Sequence, residues 1–217
     1  GLVLMAAMPL SLEIILMGDL LRIDRNYVFT SVAGTYLGAL IILPLVGLCF
    51  MEYMHLNYWK IVVLFLCLIV LPLLISRISV EREWDVIIRK GDDIMMDVSS
   101  FIIFYTMAAS SRNFFLEWST DLLIIVVIAF ISTFLFYIAI RRIGLYLRLP
   151  NERINSFILP ATMKECGLAG GIALTVFSPE VVIPSFIFAA FTMLYMSWLK
   201  FRLRHMIAAN NPKKDKI

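Results

Sequence analysis

Long apolar stretches separated by short polar connectors make up almost the whole chain. A membrane-spanning helix needs roughly 20 mostly apolar residues, and seven stretches meet that length loosely. They run from 1 to about 21, 27 to 51, 58 to 78, 94 to 110, 122 to 140, 154 to 177 and 181 to 199. The pattern predicts an all-α polytopic membrane protein with seven transmembrane helices. The first and the sixth carry proline inside the apolar run, at Pro9 and Pro160, and the sixth adds Gly167, Gly170 and Gly171. Proline removes a backbone donor and clashes with the preceding turn. At membrane depth such a break is tolerated where it faces protein or a watery cavity. Both spans are therefore expected to be discontinuous.

The stretch from Ser79 to Asp93 is different. It interleaves Glu81, Arg82, Glu83, Asp85, Arg89, Lys90, Asp92 and Asp93 with Trp84, Val86, Ile87 and Ile88. It reads equally as an amphipathic helix on the membrane surface or as a solvated connector. Residues 1–209 form one transmembrane domain, and 210–217 read as a disordered basic cytoplasmic tail.

Composition narrows the class. Of 217 residues, 61% are hydrophobic and 16% charged, and the mean hydropathy is +0.91. Soluble domains are closer to half apolar, so little mass remains for a soluble unit. The net charge of +3 carries no nucleic-acid signal, because its distribution follows the connectors. Cys49, Cys67 and Cys166 all lie in apolar stretches with no disulfide or metal spacing. The chain opens on Gly1 with no basic leader region, which reads as a fragment or processed product beginning inside a membrane segment.

The basic residues orient the map. With the seven spans above, sixteen Lys and Arg fall on the side reached after the first span, among them Arg22, Arg77, Arg141, Arg202 and Lys213. The opposite side holds only Lys60 and Arg112, and Lys164 lies within a span. The positive-inside rule places the crowded side, and the C-terminus with it, in the cytoplasm. Trp59, Trp118 and Trp198 fall near interfaces, as aromatic belts do.

Candidate chemistry concentrates in the spans. Lys164 lies ten residues after Ile154, about 15 Å along a helix and about half the hydrocarbon thickness. A charge at that depth seeks a partner or water. Glu165 points about 100° away on a helix, so Glu13, four residues after Pro9, is the better partner by depth. Such a pair is either purely structural or part of coupling and substrate binding. Pro9, Ser11, Glu13, Lys164, Glu165 and Cys166 form the core of the candidate site. Thr30, Ser31 and Thr35 join it from the second span, where, with Gly34 and Gly38, they equally suit close helix packing. The fourth span, with Asp97, Ser99, Ser100, Tyr105, Thr106, Ser110 and Ser111, suits a cavity wall. His55 and His205 lie in polar flanks, and no catalytic triad, phosphate loop or metal-ligand cluster is present. The expectation is a non-enzyme without cofactor or metal.

Several of these residues resemble the bile acid:sodium symporter superfamily. Pro9, then Asp24-Arg25-Asn26, then Pro44-Leu45 is similar to that family's fourth and fifth spans. Phe177-Ser178-Pro179-Glu180 is similar to the end of its ninth. The resemblance implies the carboxy-terminal seven of ten spans, hence a partial inverted-repeat transporter fold lacking the first three. It also implies two broken helices crossing near the midplane, with cytoplasmic C-terminus. The function implied is secondary active, symporter-type transport of a small organic anion across the lipid bilayer. The alternatives are a proton-coupled exchanger of similar fold and a non-transporting membrane sensor or subunit. The departures matter. The family's Ser-Asn pair after the fourth-span break corresponds to Ile14 and Ile15, and its ninth-span acidic and glutamine sodium ligands correspond to Pro160 and Lys164. A fixed ammonium repels sodium, so the resemblance points to transport independent of sodium or coupled to protons through Lys164, Glu13 and Glu165.

Overall fold

The computed structural model describes residues 1–21, 23–54, 58–82, 92–116 and 119–210. Residues 83–91 of the charged stretch, Trp118 and the tail from 211 onward lie outside the described residues. Those described form helices throughout, with no β-strand among them. In chain order they are α1 (Leu2–Ala7), α2 (Glu13–Leu20), α3 (Arg25–Met54), α4 (Tyr58–Glu81), α5 (Asp92–Leu116) and α6 (Thr120–Phe130). A π-helical turn, Ile131–Leu135, joins α6 to α7 (Phe136–Tyr146). Then follow α8 (Asn151–Thr162), α9 (Cys166–Val176), a single 3-10 turn at Pro179–Val181, and α10 (Val182–Asn210).

Among the described residues, three stretches are long and apolar enough to cross a membrane: Arg25–Val46, Thr120–Tyr146 and Pro179–Arg202. Most helices run several residues beyond the apolar stretches that predicted them. Arg25 and Asp92, for example, begin helices, and Arg202 lies within one. Hydrogen bonding within the helix extends past the lipid-soluble part, because water can solvate the charged ends.

Large apolar side chains cover the outside. Phe29, Leu37, Ile41, Phe101, Leu123, Phe136 and Leu194 are all exposed. A monomer in water rarely shows so much apolar surface; hydrocarbon is the solvent that suits it. The inside divides into clusters by height. At one end, Ile23 and Val28 pack with Tyr137, Ile154, Tyr195 and Leu199. Toward the other, Leu4 and Met8 pack with Leu43, Met107, Ala173 and Val182, and Leu122 packs with Ile183 and Ile187. Leu122 thus meets the start of α10 while Tyr137 meets Tyr195 and Trp198. The α6–α7 rod and α10 therefore run parallel. Arg141 and Arg202 come to the same end.

The helices touch closely where glycine allows it. A Cβ on Gly144 of α7 would stand 2.6 Å from Ile154 Cγ1 of α8. The small residues of α3 do not all serve packing, however. Among the described residues nothing lies within 4 Å of a Cβ built on Gly34, and Thr35 beside it turns inward. On α5, Ser100 faces a cleft whereas Tyr105 and Thr106 are exposed.

Candidate functional site

The chain leaves the helical path after Ala7. Met8 is extended, at φ −67° and ψ 146°. This is the conformation that a following proline imposes, since the pyrrolidine ring disfavours the α region for the residue before it. Helix resumes at Glu13, where the Ser11 hydroxyl accepts from the Glu13 amide at 3.3 Å and the Ser11 carbonyl accepts from Ile14 at 3.2 Å. A side-chain oxygen at this position satisfies donors that the first turn leaves free. In the second stretch Pro160 sits in the last turn of α8. Helix stops at Thr162, Met163 is extended (φ −118°, ψ 111°), and α9 begins at Cys166.

The two non-helical stretches lie against each other. Leu10 and Lys164 pair in antiparallel fashion, one rung of β-ladder between helices. The Glu165 amide donates to the Pro9 carbonyl at 3.0 Å, and the Ser11 amide donates to the Met163 carbonyl at 3.4 Å. Side chains supply further bonds. The Leu10 amide donates to Thr35 Oγ1 at 3.2 Å, and that hydroxyl donates onward to the Val32 carbonyl at 2.9 Å. The Leu12 amide donates to Glu165 Oε2 at 3.3 Å. Lys164 Nζ donates to the Met8 carbonyl at 3.2 Å. Each interruption strands backbone donors and acceptors, and an apolar surrounding makes an unpaired one costly. Here each interruption satisfies the other.

The two charged neighbours are sorted by helix polarity. Lys164 meets the carbonyl end of α1, where a helix carries partial negative charge. Glu165 occupies the N-cap position of α9, with the Gly167 and Leu168 amides close to its carboxylate, and also takes the amide that leads into α2. These are the positive ends. Tyr36 Oη stands 3.5 Å from the same Glu165 Oε2. The expected Lys164–Glu13 ion pair is not formed, nor is one between Lys164 and Glu165. The break itself offers another partner: the Leu12 amide, which a continuous helix would give to the Met8 carbonyl, donates to Glu165 instead, and Lys164 takes the carbonyl left free.

Beside the crossing lies a small cleft of about 80 Å³, partly open to the outside. Ser11, Glu13, Lys164, Glu165 and Cys166 line it, with Ser100 of α5 and Thr192 of α10. Glu13 is half-buried there. Of the residues singled out from sequence, Pro9, Ser11, Thr35, Lys164 and Glu165 meet at the crossing. Glu13 and Cys166 face the cleft. Thr30 is exposed and Ser31 half-buried, about one turn or more before Thr35 on α3, and neither lines the cleft. Ser100 was singled out on the polar fourth span and lines the cleft, whereas Tyr36 and Thr192 escaped the sequence reading. A tyrosine directly after Thr35 and polar residues within apolar helices were the available signals, but which face each occupies depends on how the helices dock.

Among the described residues no group of three or more His, Cys, Asp or Glu is placed to hold a metal ion. Compared with known proteins, the chain matches no protein-family model, no curated protein and no solved structure.

Proposed function

We propose that the chain is the membrane domain of a secondary active transporter, symporter-type, that moves a small organic anion independently of sodium. The observation that carries this reading is the reciprocal pairing of residues 8–12 with 163–165. Transporters build their sites where two interrupted membrane helices meet, because half-helix ends and unwound backbone offer polar groups at mid-depth. In this reading α1–α2 and α8–α9 are the first and sixth of seven spans, and the two form corresponding elements of an inverted repeat. The sodium-independence rests on Lys164, whose ammonium already neutralises the carbonyl end of α1, as a bound cation would. The resemblance to bile acid:sodium symporters agrees with this arrangement. The parallel run of the α6–α7 rod and α10 supports the charge map that places the C-terminus in the cytoplasm.

A second reading, proton-coupled exchange, is favoured by one feature. Glu13, Lys164 and Glu165 border the same cleft, so an ionisable relay and a substrate would share one space. The full chain in proteoliposomes tests both. Uptake of labelled small carboxylates should be unaffected by an imposed sodium gradient, and Lys164→Gln should abolish it or make it sodium-dependent. Sodium-stimulated uptake with Lys164 intact would remove the first reading. An imposed pH gradient that drives uptake selects the second, and the absence of any saturable flux argues for a sensor or subunit.

A further inference from the structure

Away from the crossing, two guanidinium groups converge on one neutral oxygen. Arg141 Nη1 of α7 donates to Tyr137 Oη at 3.1 Å, and Arg202 Nη1 of α10 donates to the same oxygen at 2.9 Å. The two nitrogens are therefore no more than about 6 Å apart, within one Debye length. Arg202 also lies over the rings of Trp198 and Tyr137, 5.3 and 5.5 Å from their centroids. Tyr137 is buried and is wedged edge-on against Trp198 at 5.0 Å. Among the described residues no carboxylate lies within ion-pair distance of either arginine. A phenol oxygen cannot balance two positive charges. Each guanidinium has five N–H donors in a planar fork that matches phosphate, and only one on each is used here.

Depth indicates what supplies the anion. Arg202 is the last residue of the apolar stretch Pro179–Arg202, and Arg141 lies five residues before the end of Thr120–Tyr146. Because these rods run parallel, both arginines sit at one end of the molecule, at the level where Trp198 would mark the headgroup region. Arg142 and Lys200 are exposed nearby in sequence. Basic pockets between membrane helices at that level suit phosphate-bearing headgroups.

We propose that Arg141 and Arg202, held by Tyr137 and Trp198, form a binding site for the phosphate of an anionic phospholipid. The site is independent of transport and sits on α7 and α10 rather than at the helix crossing. Lipid titration of the purified full chain, read by native mass spectrometry with phosphatidylglycerol against phosphatidylcholine, tests it. Phosphatidylglycerol should bind preferentially, and Arg141→Gln and Arg202→Gln should each weaken it about five- to tenfold. Arg202→Lys, which keeps the charge but not the fork, should fall between them and the parent. Arg142→Gln removes the same charge outside the pair and should leave affinity within about twofold. Equal loss in Arg142→Gln, or undiminished binding in Arg202→Lys together with Arg141→Gln, would overturn the proposal. Displacement of the lipid by inorganic phosphate at comparable concentration would assign the pair to a soluble anion and overturn the lipid assignment.

Discussion

Removing the Glu165 carboxylate is the perturbation whose magnitude follows most directly from the structure. It accepts the Leu12 amide at 3.3 Å, lies at the N-terminus of α9, and stands 3.5 Å from Tyr36 Oη. A hydrogen bond to a charged group contributes about 1.5–3 kcal/mol, and an anion at a helix N-terminus about 0.3–1 kcal/mol. The Tyr36 contact is too long to add much. Glu165→Ala should therefore destabilise the fold by about 2–4 kcal/mol. Glu165→Gln keeps an acceptor for Leu12 and loses only the charge, so about 1 kcal/mol is expected. Tyr36→Phe should change stability by less than about 0.5 kcal/mol, as for a weak contact. Reversible unfolding in mixed micelles, followed by the fluorescence of the four tryptophans, measures all three. Glu165→Ala within about 0.5 kcal/mol of the parent would mean that no amide depends on this carboxylate. Gln as damaging as Ala would mean that its acceptor geometry is irrelevant. Either result refutes the reasoning.

Two further outcomes test other parts of the account. Gly144→Ala should cost about 1–3 kcal/mol by overpacking, because its Cβ would meet Ile154 Cγ1 at 2.6 Å. Adding Ile154→Ala should then be less damaging than on the parent, and additive losses in the same unfolding assay would show that the two do not touch. A green fluorescent protein fused after Ile217 should fluoresce in bacterial cells, whereas an alkaline phosphatase fusion that is active there would reverse the orientation.

Much of the crossing is legible in the residues themselves. Pro9 announces a break because it constrains Met8 as well as itself, and the extended Met8 follows. Lys164 draws attention because an ammonium inside an apolar run needs a partner. Its actual partner was not legible. Charge alone favours a carboxylate, but a break also creates a vacant carbonyl, and the Met8 carbonyl lies 156 residues away in the chain. The same limit hid Tyr36. Its neighbour Thr35 was visible as a small polar residue, yet its task, to receive the Leu10 amide, exists only once Leu10 has lost its helical acceptor. Gly34 shows the converse: a small-residue pattern suggested close packing, and the residue faces open space. Periodicity reports which residues share a helix face. It does not report which neighbour, protein or lipid, that face meets.

The central claim is that residues 8–12 and 163–165 lie side by side inside the bilayer. Leu10 and Lys164 form a rung flanked by the two backbone hydrogen bonds rather than joined by them, which brings Cα atoms to about 4.5 Å in an antiparallel pair. That is within the range a disulfide spans. In a chain with Cys49, Cys67 and Cys166 replaced by alanine, Leu10→Cys with Lys164→Cys should cross-link readily in membranes under mild oxidation. Phe29→Cys with Lys164→Cys should not, since Phe29 is exposed on α3, six residues before Thr35. Failure of the first pair, or equal cross-linking by the second, would contradict the crossing and every functional inference drawn from it.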